Sequence, residues 1–173
     1  IDCRSEEITP VPLNVRAHGL ELLVVDTGAR HTTGGTAYRE RVAQCRTAAR
    51  LLGVSTLREV CDPATVELIE DPVLRARARH VVSENARVLA VVELLRAGRL
   101  PAVGPYLVAS HEALRDDYRI STPALDLVVD SALTLGALGA RLTGAGLGGC
   151  VVVLVECSRV SRITAGVQEA LAD

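Results

Sequence analysis

The chain has 173 residues, 49% of them apolar, and a net charge of −2, which fits one domain with a sizeable core. No run of basic residues forms the continuous stripe that nucleic-acid binders carry, so DNA and RNA are excluded as expected partners. All 19 basic residues are Arg, and Lys, Phe, Met and Trp are absent, which excludes a phosphate-loop or Schiff-base lysine and an aromatic base-stacking ladder, and leaves an aliphatic core.

Residues 7–15, with Ile8, Pro10 and Pro12 on alternate positions, lead through a turn at His18-Gly19 into the apolar run 20–25, a pattern that predicts two antiparallel strands. Asp26-Thr27-Gly28 ends the second strand, and residues 32–35 form a loop. From Thr36, the positions Tyr38, Val42, Cys45, Ala49 and Leu52 mark one face of an amphipathic helix that Gly53 stops. Ser55, Asp62-Pro63 and Asp71-Pro72 read as helix N-caps. Residues 73–97 predict the longest helix, with Val81, Asn85, Val88, Val92 and Leu95 on its buried stripe and Arg75, Arg77, Arg79 and Arg87 exposed. A helix follows Pro101 through about Arg115, then the polar segment DDYRIS, then a helix capped by Thr122-Pro123 that buries Leu125, Val128, Val129, Ala132 and Leu133. Residues 140–143 and 151–155 read as strands around a glycine loop, and a helix begins near Ser158. Strands near both ends with helices between them predict an α+β fold, an antiparallel sheet covered by helices.

The five cysteines, an odd number without a CxxC pair, fit a reducing cytoplasm. Cys150 and Cys157 have an odd spacing that points them to opposite faces of a strand, so they do not share a metal, and no metal site is expected. No apolar run approaches the roughly 20 residues of a membrane span. His18, His31, His80 and His111 lack metal-ligand spacing and are read as structural. Asp116-Asp117 is an acidic pair whose adjacent side chains diverge, which argues against paired acid–base chemistry.

Gly144-Ala145-Gly146-Leu147-Gly148-Gly149 satisfies GxGxxG, but the β-branched run after it is a strand, whereas a dinucleotide fingerprint must open a helix. Glycines between two strands either relieve crowding in a tight hairpin or bring backbone N–H groups close to a ligand.

The segment GARLTGAGLGGC at 139–150 resembles the third signature motif of galactokinases in the GHMP kinase superfamily. DTGARH at 26–31, YRERVAQC at 38–45 and SHEALRDDYRISTPALD at 110–126 resemble further galactokinase segments in the same order, and IDCRS at the start resembles a strand following that family's catalytic-Asp motif. The resemblance implies the ferredoxin-like C-terminal domain of a GHMP kinase over 20–173, with 1–19 a strand or hairpin continuing from a missing N-terminal domain. It also implies ATP-dependent phosphorylation of galactose to galactose 1-phosphate, with ATP and Mg²⁺ as cofactors and no membrane partner. The catalytic Asp and main ATP loop would belong to the missing half, so no catalytic residue is expected here and the chain alone is expected to be inactive. Another GHMP small-molecule kinase, or a non-catalytic sugar-sensing relative, is the alternative. By the same resemblance Tyr38 is the sugar contact, against a purely core role at the start of its helix stripe. Gly144, Gly146, Gly148 and Gly149 would form the glycine loop bordering the active-site cleft. Ala145, Leu147 and Leu142 depart from the family's glycine, phenylalanine and methionine, and Ala145 would strain the loop if its φ had to be positive.

Overall fold

The computed structural model describes residues 2, 5–29 and 35–172. Its strands are β1 (Leu20–Asp26), β2 (Gly139–Thr143) and β3 (Cys150–Glu156); its helices are α1 (Thr36–Leu51), α2 (Pro72–Arg96), α3 (Gly104–Ala113), α4 (Pro123–Thr134) and α5 (Val160–Ala172). The sheet order is β1-β3-β2 with both pairings antiparallel, so the strand nearest the C-terminus lies in the middle. Leu20 pairs with Glu156 and Asp26 with Cys150, which sets the end of β1 beside the glycine loop that joins β2 to β3.

The β-branched run of β3 serves both faces of the sheet. Val151, Val153 and Val155 pack with Leu125, Val128 and Val129 of α4 and Ile163 and Val167 of α5. Leu154 faces the other way, toward Leu20, Leu100 and Val103. A third cluster joins Ala48 and Ala49 of α1 to Ala78 and Val82 of α2 and lies off the sheet. Where α3 crosses the start of β2, Gly104 and Gly139 touch: a Cβ on Gly104 would sit 2.1 Å from the Leu138 carbonyl oxygen, and one on Gly139 2.2 Å from the Gly104 oxygen. Only glycine allows that approach.

The caps follow the sequence closely. Asp71 accepts from the Val73 and Leu74 N–H groups at 2.7 and 3.0 Å with Pro72 in the first turn of α2, and Thr122 accepts from Leu125 N–H ahead of α4. Gly53, at φ +68°, ends α1. Asp62 caps a 3-10 turn over Pro63–Leu68, whereas the cap expected at Ser55 falls on Thr56, whose hydroxyl and backbone pair reciprocally with Glu59.

Three expectations change. Residues 6–14 form no strand, so the predicted hairpin is replaced by an irregular segment and a short 3-10 turn at Arg16–His18. Pro10 and Pro12 lack the N–H groups a ladder needs, and the partner of β1 comes from the far end of the chain. Residues 1, 3, 4, 30–34 and 173, including His31 and most of the loop expected at 32–35, lie outside the described residues. The stripe predicted for α2 is displaced: Val88 is 56% exposed, while Ala78, Val82, His80 and Arg77 are buried. At about 37 Å, α2 serves the α1 cluster with its first half and the Leu20–Leu154 cluster with its second, so no single stripe runs its length. The helix after Pro101 is a 3-10 turn (Leu100–Val103), then α3, then a π-helical turn over Leu114–Tyr118.

Candidate functional site

The glycine loop connects two antiparallel strands and opens no helix. Gly144, Gly146, Gly148 and Gly149 have φ of +86°, +73°, +133° and +91°. Leu147 also lies in the left-handed region, at +63°, whereas Ala145 does not. The strain considered for Ala145 therefore falls two residues later. The loop is tied on both sides: Thr27 donates its N–H and its hydroxyl to the Gly149 oxygen at 3.0 and 2.8 Å, Gly149 N–H donates to Ala29, and Leu147 N–H donates to the Ile120 oxygen at 2.6 Å.

Ile120 closes the segment that begins with the π-turn. Arg119 there is left-handed at φ 59°, so the helical ladder breaks and the carbonyls of residues 117–119 turn to outside donors. Two arginines supply them. From α1, Arg41 Nε donates to the Tyr118 oxygen at 2.7 Å and its Nη2 to the Arg119 oxygen at 3.3 Å. From α2, Arg77 donates through Nη1 to the Asp117 oxygen and through Nε to Gln44 Oε1 at 2.8 Å. Gln44 Oε1 also accepts from Arg41 at 3.2 Å, so one amide oxygen couples the two guanidinium groups. Arg77 is only 6% exposed, and burial, followed by repulsion from Arg41 and Arg119, holds its pKa below the ordinary arginine value.

The Tyr118 ring stacks on His80 with centroids 4.5 Å apart, and its hydroxyl lies 3.7 Å from Cys45 Sγ. Burial raises the pKa values of Tyr118 and Cys45, and burial lowers that of His80 to about 4. On the other side of the segment, Ser121 donates to Asp126, which pairs with His111 Nε2 at 3.1 Å, and His111 Nδ1 accepts from Leu142 N–H at 3.3 Å. That acceptor role requires a neutral His111 protonated on Nε2, in keeping with the downward shift that burial gives it.

Tyr38 is 54% exposed on the first turn of α1, so it does not begin a buried stripe; Cys45, Ala48 and Ala49 carry the packing instead. Tyr38 stands one helical turn before Arg41, whose guanidinium grips residues 118 and 119. Asp116 pairs with Arg115 at 2.9 and 3.0 Å and Asp117 with Arg79 at 3.3 Å, so the acidic neighbours diverge as expected. Ser110 donates to Glu84 while its neighbour His111 faces Asp126, so they form no catalytic pair. Among the described residues no group of three His, Cys, Asp or Glu could hold a metal ion.

Sequence reasoning singled out Tyr38 and the glycines and read His80 as structural, which its stacking on Tyr118 fits, but it missed Arg77 and Tyr118, which meet at the segment that contacts the glycine loop through Ile120. Arg41 stood in the quoted 38–45 segment without a role, and Cys45 only as part of the buried face of α1. The signal for Arg77 was its place in RARAR, where the pattern read every arginine as solvated.

The three-stranded antiparallel sheet with its helices matches the C-terminal domain fold of the GHMP kinases, and residues 91–173 match the family model described as GHMP kinases C terminal. The chain aligns over its whole length with galactokinases. It is 46% identical to the galactokinase of Streptomyces coelicolor, over 99% of this chain and 46% of that protein. It is 43% identical to the one of Mycobacterium tuberculosis, over 98% and 47%. The structure of Lactococcus lactis galactokinase complexed with galactose matches with a TM-score of 0.84 at 33% identity, over 95% of this chain and 44% of that one. L. major mevalonate kinase shares the fold, at a TM-score of 0.58 and 23% identity. The chain spans about half the length of the curated relatives it matches.

Proposed function

We propose that this chain is the C-terminal half of a galactokinase, which transfers the γ-phosphoryl group of ATP to galactose and yields galactose 1-phosphate. The observation that carries the reading is the junction at residues 117–120. One segment binds Arg41, a turn beyond Tyr38, on one side and the backbone of the glycine loop on the other. In this reading Tyr38 lies against the sugar, and Gly144, Gly146, Gly148 and Gly149 shape the wall of the cleft beside it. Phosphoryl transfer rests on positioning and charge stabilisation, and the part of that task assigned here is positioning. In this reading the carboxylate beside the sugar hydroxyl, the main ATP loop and the Mg²⁺ ligands belong to the half of the protein outside this chain. Among the described residues no helix is long and apolar enough to cross a membrane; the cytoplasm, as the place of action, is part of the proposed reading.

The non-catalytic, sugar-sensing alternative rests on the Asp motif lying outside this chain and on the altered glycine loop, where Ala145 stands in place of the usual galactokinase glycine. The φ of Ala145 lies outside the left-handed region, so alanine there carries no left-handed strain and the loop adds nothing to that alternative through this residue. The test is ADP release by the intact protein with ATP and Mg²⁺. Turnover that depends on galactose supports the reading. Turnover on another small alcohol moves the protein to a different GHMP activity, and galactose binding without turnover makes it a sensor.

A further inference from the structure

We propose that Arg77, acting with Arg41, is a positioning residue for sugar binding: the two guanidinium groups grip the carbonyl oxygens of residues 117–119 and so fix the Tyr38 end of α1 relative to the glycine loop. The inference rests on the galactokinase reading above and assigns that site a support that reaches it only through other residues.

Arg77 is buried against acceptors that are all neutral, the amide oxygen of Gln44 and the peptide oxygen of Asp117. A guanidinium placed there has a desolvation cost that an apolar side chain of similar length would avoid, so packing does not explain it. Geometry does. The π-turn and the left-handed Arg119 leave three successive carbonyls without a helical partner, and the two arginines meet all three. A planar fork bonds two acceptors in fixed directions, which a lysine ammonium does not reproduce. The held segment then passes its position on. Ile120, the next residue, accepts the Leu147 N–H and sets the middle of the loop, while Arg41 and Gln44 set the helix that carries Tyr38. Arg77 thus ties α1, α2 and the segment under the loop at one point.

The experiment compares Arg77→Met, Arg77→Lys and Val82→Ala in the intact protein, at a temperature where far-UV circular dichroism finds all three folded. Val82 is buried on the same helix in the α1–α2 cluster, so its truncation loosens packing without removing a clamp donor. Steady-state kinetics and amide exchange over residues 144–149 are the readouts. R77M is expected to raise the galactose KM about tenfold and to leave kcat and the ATP KM within about threefold. Leu147 N–H should exchange about tenfold faster. R77K should fall between R77M and wild type, and serves alone if R77M does not fold. V82A should keep the wild-type KM and loop exchange at whatever stability it retains. An unchanged galactose KM in an active R77M enzyme, or equal shifts in V82A, overturns the proposal. If the wild-type protein phosphorylates no galactose, the kinase reading fails by itself, and loop exchange still decides whether Arg77 holds the loop.

Discussion

Adding one methyl group at residue 146 tests the close approach on which the site is built. Gly146 sits at φ +73°, and a Cβ there would meet the Ile120 oxygen at 2.7 Å, its Cβ at 2.8 Å and its Cδ1 at 2.9 Å. Gly146→Ala therefore has a left-handed backbone cost of about 1 kcal/mol. It also pushes away the carbonyl that accepts the Leu147 N–H, and losing that bond in a half-buried place adds about 1–2 kcal/mol. Gly144→Ala is the reference, because Gly144 has φ +86° with nothing within 4 Å of its Cβ and has only the backbone cost. Urea unfolding of the intact protein, followed through the transition of the domain that holds the loop, should place G146A about 1–2 kcal/mol below G144A at unchanged m-value. Equal losses for the two variants would refute the contact, and with it the argument that residues 117–120 support the loop.

Tyr38→Phe should raise the galactose KM about tenfold, the worth of one lost hydrogen bond, with stability within about 0.5 kcal/mol because the side chain is largely exposed; an unchanged KM removes Tyr38 from the sugar. His80 gives a pH dependence of fixed sign. Its folded pKa is about 4 against 6.5 unfolded, with burial the main cause and Glu84 and Asp117 opposing it. The unfolded chain thus binds more protons between those values, so stability is lost as pH falls from 6.5 toward 4, by at most about 3 kcal/mol. His80→Phe keeps the stacking on Tyr118 and should flatten that slope down to the part His111 contributes in the same direction; a slope identical to wild type would exclude His80 as its source. Asp126→Ala should cost about 2–3 kcal/mol in thermal or urea unfolding, because it strands Ser121 and the buried His111 Nε2 together; a neutral result would mean that neither needs it.

What the sequence disclosed and what it hid divide along a physical line. Caps, helix stops and strand runs depend on neighbours in the chain, and Asp71, Thr122, Gly53 and the valines of β3 were readable because their partners lie within a few residues or simply in the core. The glycine loop was readable for a related reason, since a residue without a Cβ announces a close approach even when its partner is unknown. The segment at 7–15 misled because alternation marks a strand only where the backbone can donate to a ladder, and Pro10 and Pro12 have no N–H to give, so β1 stays at the edge of the sheet with β3 as its partner. Arg41 and Arg77 were illegible in a stricter sense. Their partners are peptide carbonyls of residues 117–119, which every sequence possesses and none displays, exposed for bonding only because a π-turn ends in a left-handed residue. Leu147 follows the same logic. It takes the left-handed backbone that Ala145 escapes because its N–H, in the middle of the loop, is the one that must reach the Ile120 oxygen. Side-chain identity therefore located the loop, and backbone hydrogen bonding decided which of its residues bears the strain.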